Sequence, residues 1–137
     1  MGKIWDLDFQ QERKKLLESQ SKNIRFKGSS SDWMQLAVDS KYSYQFDWLG
    51  VPIIQMPEDL ILFQEIVYKT QPDLTIEKDV AQGGSIIFWA SIQKLCGITG
   101  KVLGVDIDIR QHARNAIIDS NFKDEIYLIE VAQSRSK

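Results

Sequence analysis

Three stretches decide how this chain folds: Asp73-Leu74-Thr75-Ile76-Glu77, then Ala81-Gln82-Gly83-Gly84-Ser85, then Lys101-Val102-Leu103-Gly104-Val105-Asp106. An apolar strand runs into a glycine turn, a helix follows, and a second strand ends in an acid. This is the minimum apparatus for holding an adenosine-bearing cofactor, and Asp106 falls about 20 residues beyond the glycines, close to the spacing such units use.

Working outward, residues 85 to 95 read as a nearly all-apolar helix closed by Gly97, consistent with burial against a sheet. Residues 110 to 120 read as another helix, and Glu125-Ile126-Tyr127-Leu128-Ile129-Glu130 as a third strand. Strand, helix, strand, helix, strand implies a parallel sheet with right-handed crossovers. Upstream, Pro57 suits a first helical turn, with Glu58 and Asp59 at its positive end. Leu60, Ile61, Phe63, Ile66 and Val67 give that helix an apolar face, and Pro72 ends it. Trp48-Leu49-Gly50-Val51-Pro52 reads as a turn. Trp33, Met34, Leu36, Tyr42, Tyr44, Phe46 and Trp48 are read as core or lid packing rather than a substrate wall. Residues 8 to 20 form a helix with a thin apolar face. Gly28-Ser29-Ser30-Ser31 then divides a polar helical leader, residues 1–30, from a partial α/β domain, residues 31–137.

Composition excludes several classes. At 137 residues, 43% apolar and 26% charged, the chain is one ordinary globular domain, short for a complete α/β enzyme. A net charge of −2 argues against an electrostatic nucleic-acid binder, and Arg13-Lys14-Lys15 reads as a solvated helix face. No apolar run approaches the roughly 20 residues of a membrane span. Residues 1 to 9 lack a signal-peptide core. The single cysteine, Cys96, reads as a small buried hydrophobe, and a reducing cytoplasm is the expected location.

A parallel strand delivers its C-terminal end to the ligand crevice, which puts Glu77 at the mouth. Gly83 and Gly84 remove side chains where the backbone bends and a ligand approaches, and the next helix offers free amides to an anion. Asp106 can accept from both ribose hydroxyls. A tight turn without a ligand is the competing reading. The loop lacks the Lys-Ser/Thr ending of a P-loop and the spacing of the dinucleotide fingerprint. A cofactor with adenosine and a carboxylate but no pyrophosphate fits better, which points to S-adenosylmethionine.

Tyr44, Trp48-Leu49-Gly50-Val51-Pro52, Gln55, Pro57-Glu58-Asp59, Pro72-Asp73, Ile76-Glu77, Val80-Ala81, Gly83-Gly84-Ser85 and Val102-Leu103-Gly104-Val105-Asp106-Ile107-Asp108-Ile109-Arg110 occur in this order. The sequence resembles the cephalosporin hydroxylase/rhamnosyl O-methyltransferase family from about residue 40 to 130. The resemblance implies the N-terminal half of a class I methyltransferase: a Rossmann-like parallel sheet preceded by helices. It also implies S-adenosylmethionine as cofactor, a divalent metal such as Mg near the acceptor, and a small-molecule acceptor bearing a sugar or secondary-metabolite hydroxyl. Carried over, Glu77, Gly83, Gly84 and Ser85 line the methionine end and Asp106 holds the ribose. Asp108 either shapes that loop or caps the next helix, and Gln55 covers the site.

Two departures stand out. The family pattern has Thr-Gly where this chain has Lys78-Asp79, which adds bulk, charge and a positive-φ cost. After Glu130 the chain runs into Val131-Ala132-Gln133-Ser134-Arg135-Ser136-Lys137 instead of a glycine and acidic stretch, so the adenine contacts of that loop are not carried over. The strands that carry the acceptor site and the metal-binding carboxylates in the family follow later, so no catalytic residue and no metal ligand is assigned. His112 is alone and reads as a surface or packing residue; an iron hydroxylase would need two histidines and a carboxylate. An unpaired edge at residues 73 to 77 is expected to drive homo-oligomer formation. A non-catalytic cofactor-binding or assembly module of the same fold is the alternative function, and a nucleotide-binding regulatory domain a third.

Overall fold

The computed structural model describes residues 6–132. The chain forms two compact units, Met1–Ser40 and Lys41–Lys137.

The first unit contains two helices, α1 (Leu7–Lys22) and α2 (Ile24–Asp39). Asp6 caps α1 by accepting from the Phe9 amide at 3.0 Å, and Asn23 caps α2 by accepting from the Phe26 amide at 2.9 Å. α1 buries no residue and α2 buries only Ala37, in keeping with the thin apolar face read from sequence. The Gly28–Ser31 patch does not break the chain: α2 runs straight through it, and the compact unit ends at Ser40. Glycine and serine weaken a helix by about 1 kcal/mol or less each, which flanking helical turns and a good cap override.

The second unit opens with a 3-10 turn, Tyr42–Gln45. A small antiparallel hairpin follows, β1 (Asp47–Trp48) with β2 (Val51–Pro52), where sequence suggested only a turn. Leu49 and Gly50 both take positive φ at its tip, 51° and 81°, as a tight hairpin turn demands. Then come α3 (Pro57–Thr70), β3 (Leu74–Lys78), α4 (Gly84–Leu95), β4 (Lys101–Asp106), α5 (Gln111–Asp119) and β5 (Ile126–Glu130). The last three strands form a parallel sheet in the order β3-β4-β5, with Ile76 opposite Leu103 and Leu103 opposite Tyr127.

α4 and α5 cover one face of that sheet. Val80, Ile86, Ile87, Ala90, Val102, Ala113, Ile117 and Ile126 form the main core there. A second cluster of Ile53, Val67, Phe88 and Ile92 joins α3 to α4. Trp48 packs edge-on to Phe88 at 4.9 Å and Phe46 leans on the same cluster, so these aromatics are packing residues, whereas Tyr44 stays exposed. Cys96 is half-buried against this cluster.

The pleat turns Thr75, Glu77, Val102, Gly104, Ile126 and Leu128 toward the helices. Ile76 and Tyr127 point the other way and are 62% and 55% exposed. Parallel sheets are normally covered on both faces. Here one apolar face and the outer edge of β3 have no partner among the described residues of this unit.

Candidate functional site

The site lies at the C-terminal ends of β3 and β4, which parallel pairing sets side by side. Gly83 adopts φ 93°, a left-handed conformation that favours glycine, and so turns the chain into α4. Gly84 is required by close approach: a Cβ there would collide with the carbonyls of Val51 and Pro52. The hairpin therefore packs directly on the start of α4. This contact, rather than a ligand alone, accounts for the second glycine.

Glu77 is the central carboxyl. The Ser85 hydroxyl donates to its Oε1, and the Trp89 side chain stands close enough to favour the ionised form. Its other oxygen, Oε2, is buried without a protein partner. Burial pushes the carboxyl up to about 7, with Ser85 and Trp89 pulling it down and the neighbouring Asp79 charge adding to the rise. Ser85 was expected here. Trp89 was not, although it lies one helical turn beyond Ser85 on the same face of α4, a spacing that could have flagged it.

Asp106 behaves differently. Its Oδ2 accepts from the Val80 amide at 2.8 Å and its Oδ1 from the Asp108 amide at 3.1 Å, so one side chain ties the loop after β3 to the loop after β4. The Asp108 amide, helped by those of Val80, Ile107 and Ala81, holds the Asp106 carboxyl below its usual range against a smaller effect of burial. Of these amides only those of Val80 and Asp108 make hydrogen bonds, one to each oxygen, which leaves each oxygen a second lone pair for a further donor.

Asp108 is exposed, and the helix-cap reading of it fails. The capping position of α5 is Arg110, with no side-chain cap bond. Gln55 is half-buried in the segment leading to α3, three residues past the Pro52 carbonyl that abuts Gly84; among the described residues no hydrogen bond joins it to Glu77 or Asp106. Asp79, in place of the family glycine, sits at φ 68° with its amide donating to the Val105 carbonyl at 3.0 Å. The substitution thus falls where the backbone is left-handed and side chains are disfavoured.

Glu130 is a further organising residue. Its Oε2 accepts from Arg114 Nη2 at 2.7 Å and from the Ile109 amide at 3.2 Å, which clamps the loop after β4 to the end of β5. The adenine loop expected after it lies largely outside the described residues. His112 is exposed, and no group of three or more metal-ligating side chains occurs among the described residues. Among the described residues no helix is long and apolar enough to cross a membrane.

A parallel sheet with a glycine turn after its first strand and an acid closing the second defines the cofactor-side half of a Rossmann-like protein of the class I methyltransferase type. The chain belongs to the rhamnosyl O-methyltransferase/CmcI family, whose model matches residues 40–137. A rhamnosyl O-methyltransferase of Mycobacterium leprae (strain TN) is 37% identical over 60 residues, which are 44% of this chain and 26% of that protein. A solved structure described as CmcI-N160 in its apo form superposes with a TM-score of 0.58 at 21% identity, covering 66% of this chain and 37% of that one. One described as cmcI-D160 with Mg and S-adenosylmethionine gives 0.59 at 22%, covering 66% and 38%. Another, described with S-adenosylhomocysteine, gives 0.55 at 21%, covering 67% and 46%. The chain thus spans about a quarter of the curated relative's length and less than half of these solved chains.

Proposed function

We propose that this chain carries the S-adenosylmethionine-binding half of an O-methyltransferase acting on a sugar or secondary-metabolite hydroxyl. The observation that supports this most is Glu77: a buried carboxyl with an unpartnered oxygen, beside the glycine turn and on the same face of the sheet as Asp106. Glu77 suits a cationic ammonium, the amides at the start of α4 suit a carboxylate, and the spare lone pairs of Asp106 suit ribose hydroxyls. Gly83, Gly84 and Ser85 shape the turn, Asp108 supports the ribose loop, and Gln55 covers the site.

The bound cofactor would supply the electrophilic methyl group; the protein's part in this half is to bind and orient it. A divalent ion such as Mg would take ligands from outside the described residues, since no suitable cluster occurs within them. Calorimetric titration with S-adenosylhomocysteine tests the reading. Saturable binding supports it, and no heat at high micromolar ligand overturns it.

The second reading is a non-catalytic cofactor-binding or assembly module, and Asp79 favours it. An acid at φ 68° beside Glu77 adds negative charge where the ligand carboxylate would lie. Self-association through the open edge of β3 fits either reading.

A further inference from the structure

The interface between β3 and α4 is crossed by polar side chains at a regular spacing. Ser85, Trp89 and Gln93 succeed one another at every fourth residue of α4, and Thr75 and Glu77 are alternate residues on the covered face of β3. Ser85 donates to Glu77, the Trp89 side chain stands beside the same carboxyl and favours its ionised form, and Gln93 Nε2 donates to Thr75 Oγ1 at 2.7 Å. Gln93 is only 1% exposed, so its end of the ladder is a fixed anchor. The Trp89 ring is itself wedged between Phe63, 5.0 Å away, and Phe88, 5.2 Å away. Trp89 is thus locked by packing, while the Glu77 carboxyl keeps one oxygen without a partner.

We infer that Ser85 and Trp89 are positioning residues that hold Glu77 as a cation-recognising carboxyl, neutral when the site is free and ionised when a ligand's ammonium group arrives. This rests on the cofactor reading above and adds a proton to it: neutral Glu77 and a cationic ligand give a carboxylate–ammonium pair, and one proton passes to solvent.

The charges around Glu77 agree in sense. Asp79, next on the loop, raises its affinity for the proton. Asp106 lies on the same sheet face on β4, and Asp108 follows it. Lys78, the nearest cation in sequence, points to the opposite face of β3 and is exposed. α4 brings only the neutral side chains Ser85 and Trp89 to the carboxyl. Among the described residues no cation stands close to Glu77, and its burial keeps it protonated to about 7.

The test is S-adenosylhomocysteine calorimetry in buffers of differing ionisation enthalpy, together with intrinsic fluorescence of the free protein against pH. Close to one proton should be released on binding one unit below neutrality and almost none one unit above it. Affinity should fall toward ten-fold per pH unit on the acid side. The free protein should show a fluorescence transition near neutral pH that Trp89→Phe and Glu77→Gln both abolish, and Glu77→Gln should bind without proton release. Binding with no proton release, or a transition that survives Glu77→Gln, overturns this inference alone. No binding at any pH overturns the cofactor reading and this inference with it.

Discussion

Replacing Glu77 by Gln keeps the shape and the acceptor oxygen for Ser85 but removes the titration. In the unfolded chain this carboxyl ionises near 4.5; in the fold, burial raises it to about 7. Between those values the native state holds a proton that the unfolded state has lost. The stabilising contribution is therefore complete below about 4.5 and declines as pH rises through about 7. At roughly 1.4 kcal/mol per pH unit, the gap amounts to on the order of 3 kcal/mol, an upper figure since the residue is half-buried. Asp106 works in the opposite sense: its depressed carboxyl stabilises above the ordinary 3.8 and that contribution is lost in stronger acid, outside this window and equally in both proteins. Urea unfolding of wild type and Glu77→Gln, followed by circular dichroism from pH 5 to pH 8, should give a wild-type stability that falls by about 1 to 3 kcal/mol. The variant's stability should be nearly flat over that range. Parallel pH dependences in the two proteins would refute the claim that Glu77 is buried and neutral.

Three other outcomes follow from the geometry. Gly84→Ala forces a Cβ into the carbonyls of Val51 and Pro52 and should cost about 3 kcal/mol or more in chemical denaturation, as overpacking against backbone does; a loss under about 1 kcal/mol would show that the hairpin yields freely. Asp79→Gly removes a side chain and a charge at a left-handed position and should tighten S-adenosylhomocysteine binding several-fold; unchanged affinity would dismiss both the steric and the charge argument. Ile76→Lys places a charge on the open edge strand and should convert a dimer into a monomer in analytical ultracentrifugation, whereas a wild type that is monomeric and melts cooperatively at micromolar concentration would count against edge pairing.

Local pattern made the sheet legible. The strand at β4 was read with its observed limits, and the helices around α3, α4 and α5 to within a residue or so, because apolar runs, proline at a helix start and glycine past a helix end act through neighbours in the chain. The hairpin at Asp47–Pro52 was missed because two-residue strands carry no periodicity. The helix through Gly28–Ser31 is not legible locally because glycine and serine are weak helix formers, and its cap shows only where the Asn23 side chain meets the Phe26 amide. Asp106 and Glu77 were both found as acids at strand ends, yet nothing local distinguishes them.

The alternation from α3 to β5, the parallel sheet and the positions of Glu77, the glycines and Asp106 were determined by sequence alone, since each depends on residues within one strand, helix or turn. The tertiary structure decided the character of the two acids. Asp106 meets the backbone amides of Val80 and Asp108 and is held ionised as a brace between loops. Glu77 is roofed by Ser85 and Trp89 from α4, stripped of water and left with one oxygen unpaired. Desolvation depends on what the rest of the chain lays over a side chain, so two carboxyls alike in sequence become chemically opposite only when α4 packs on the sheet.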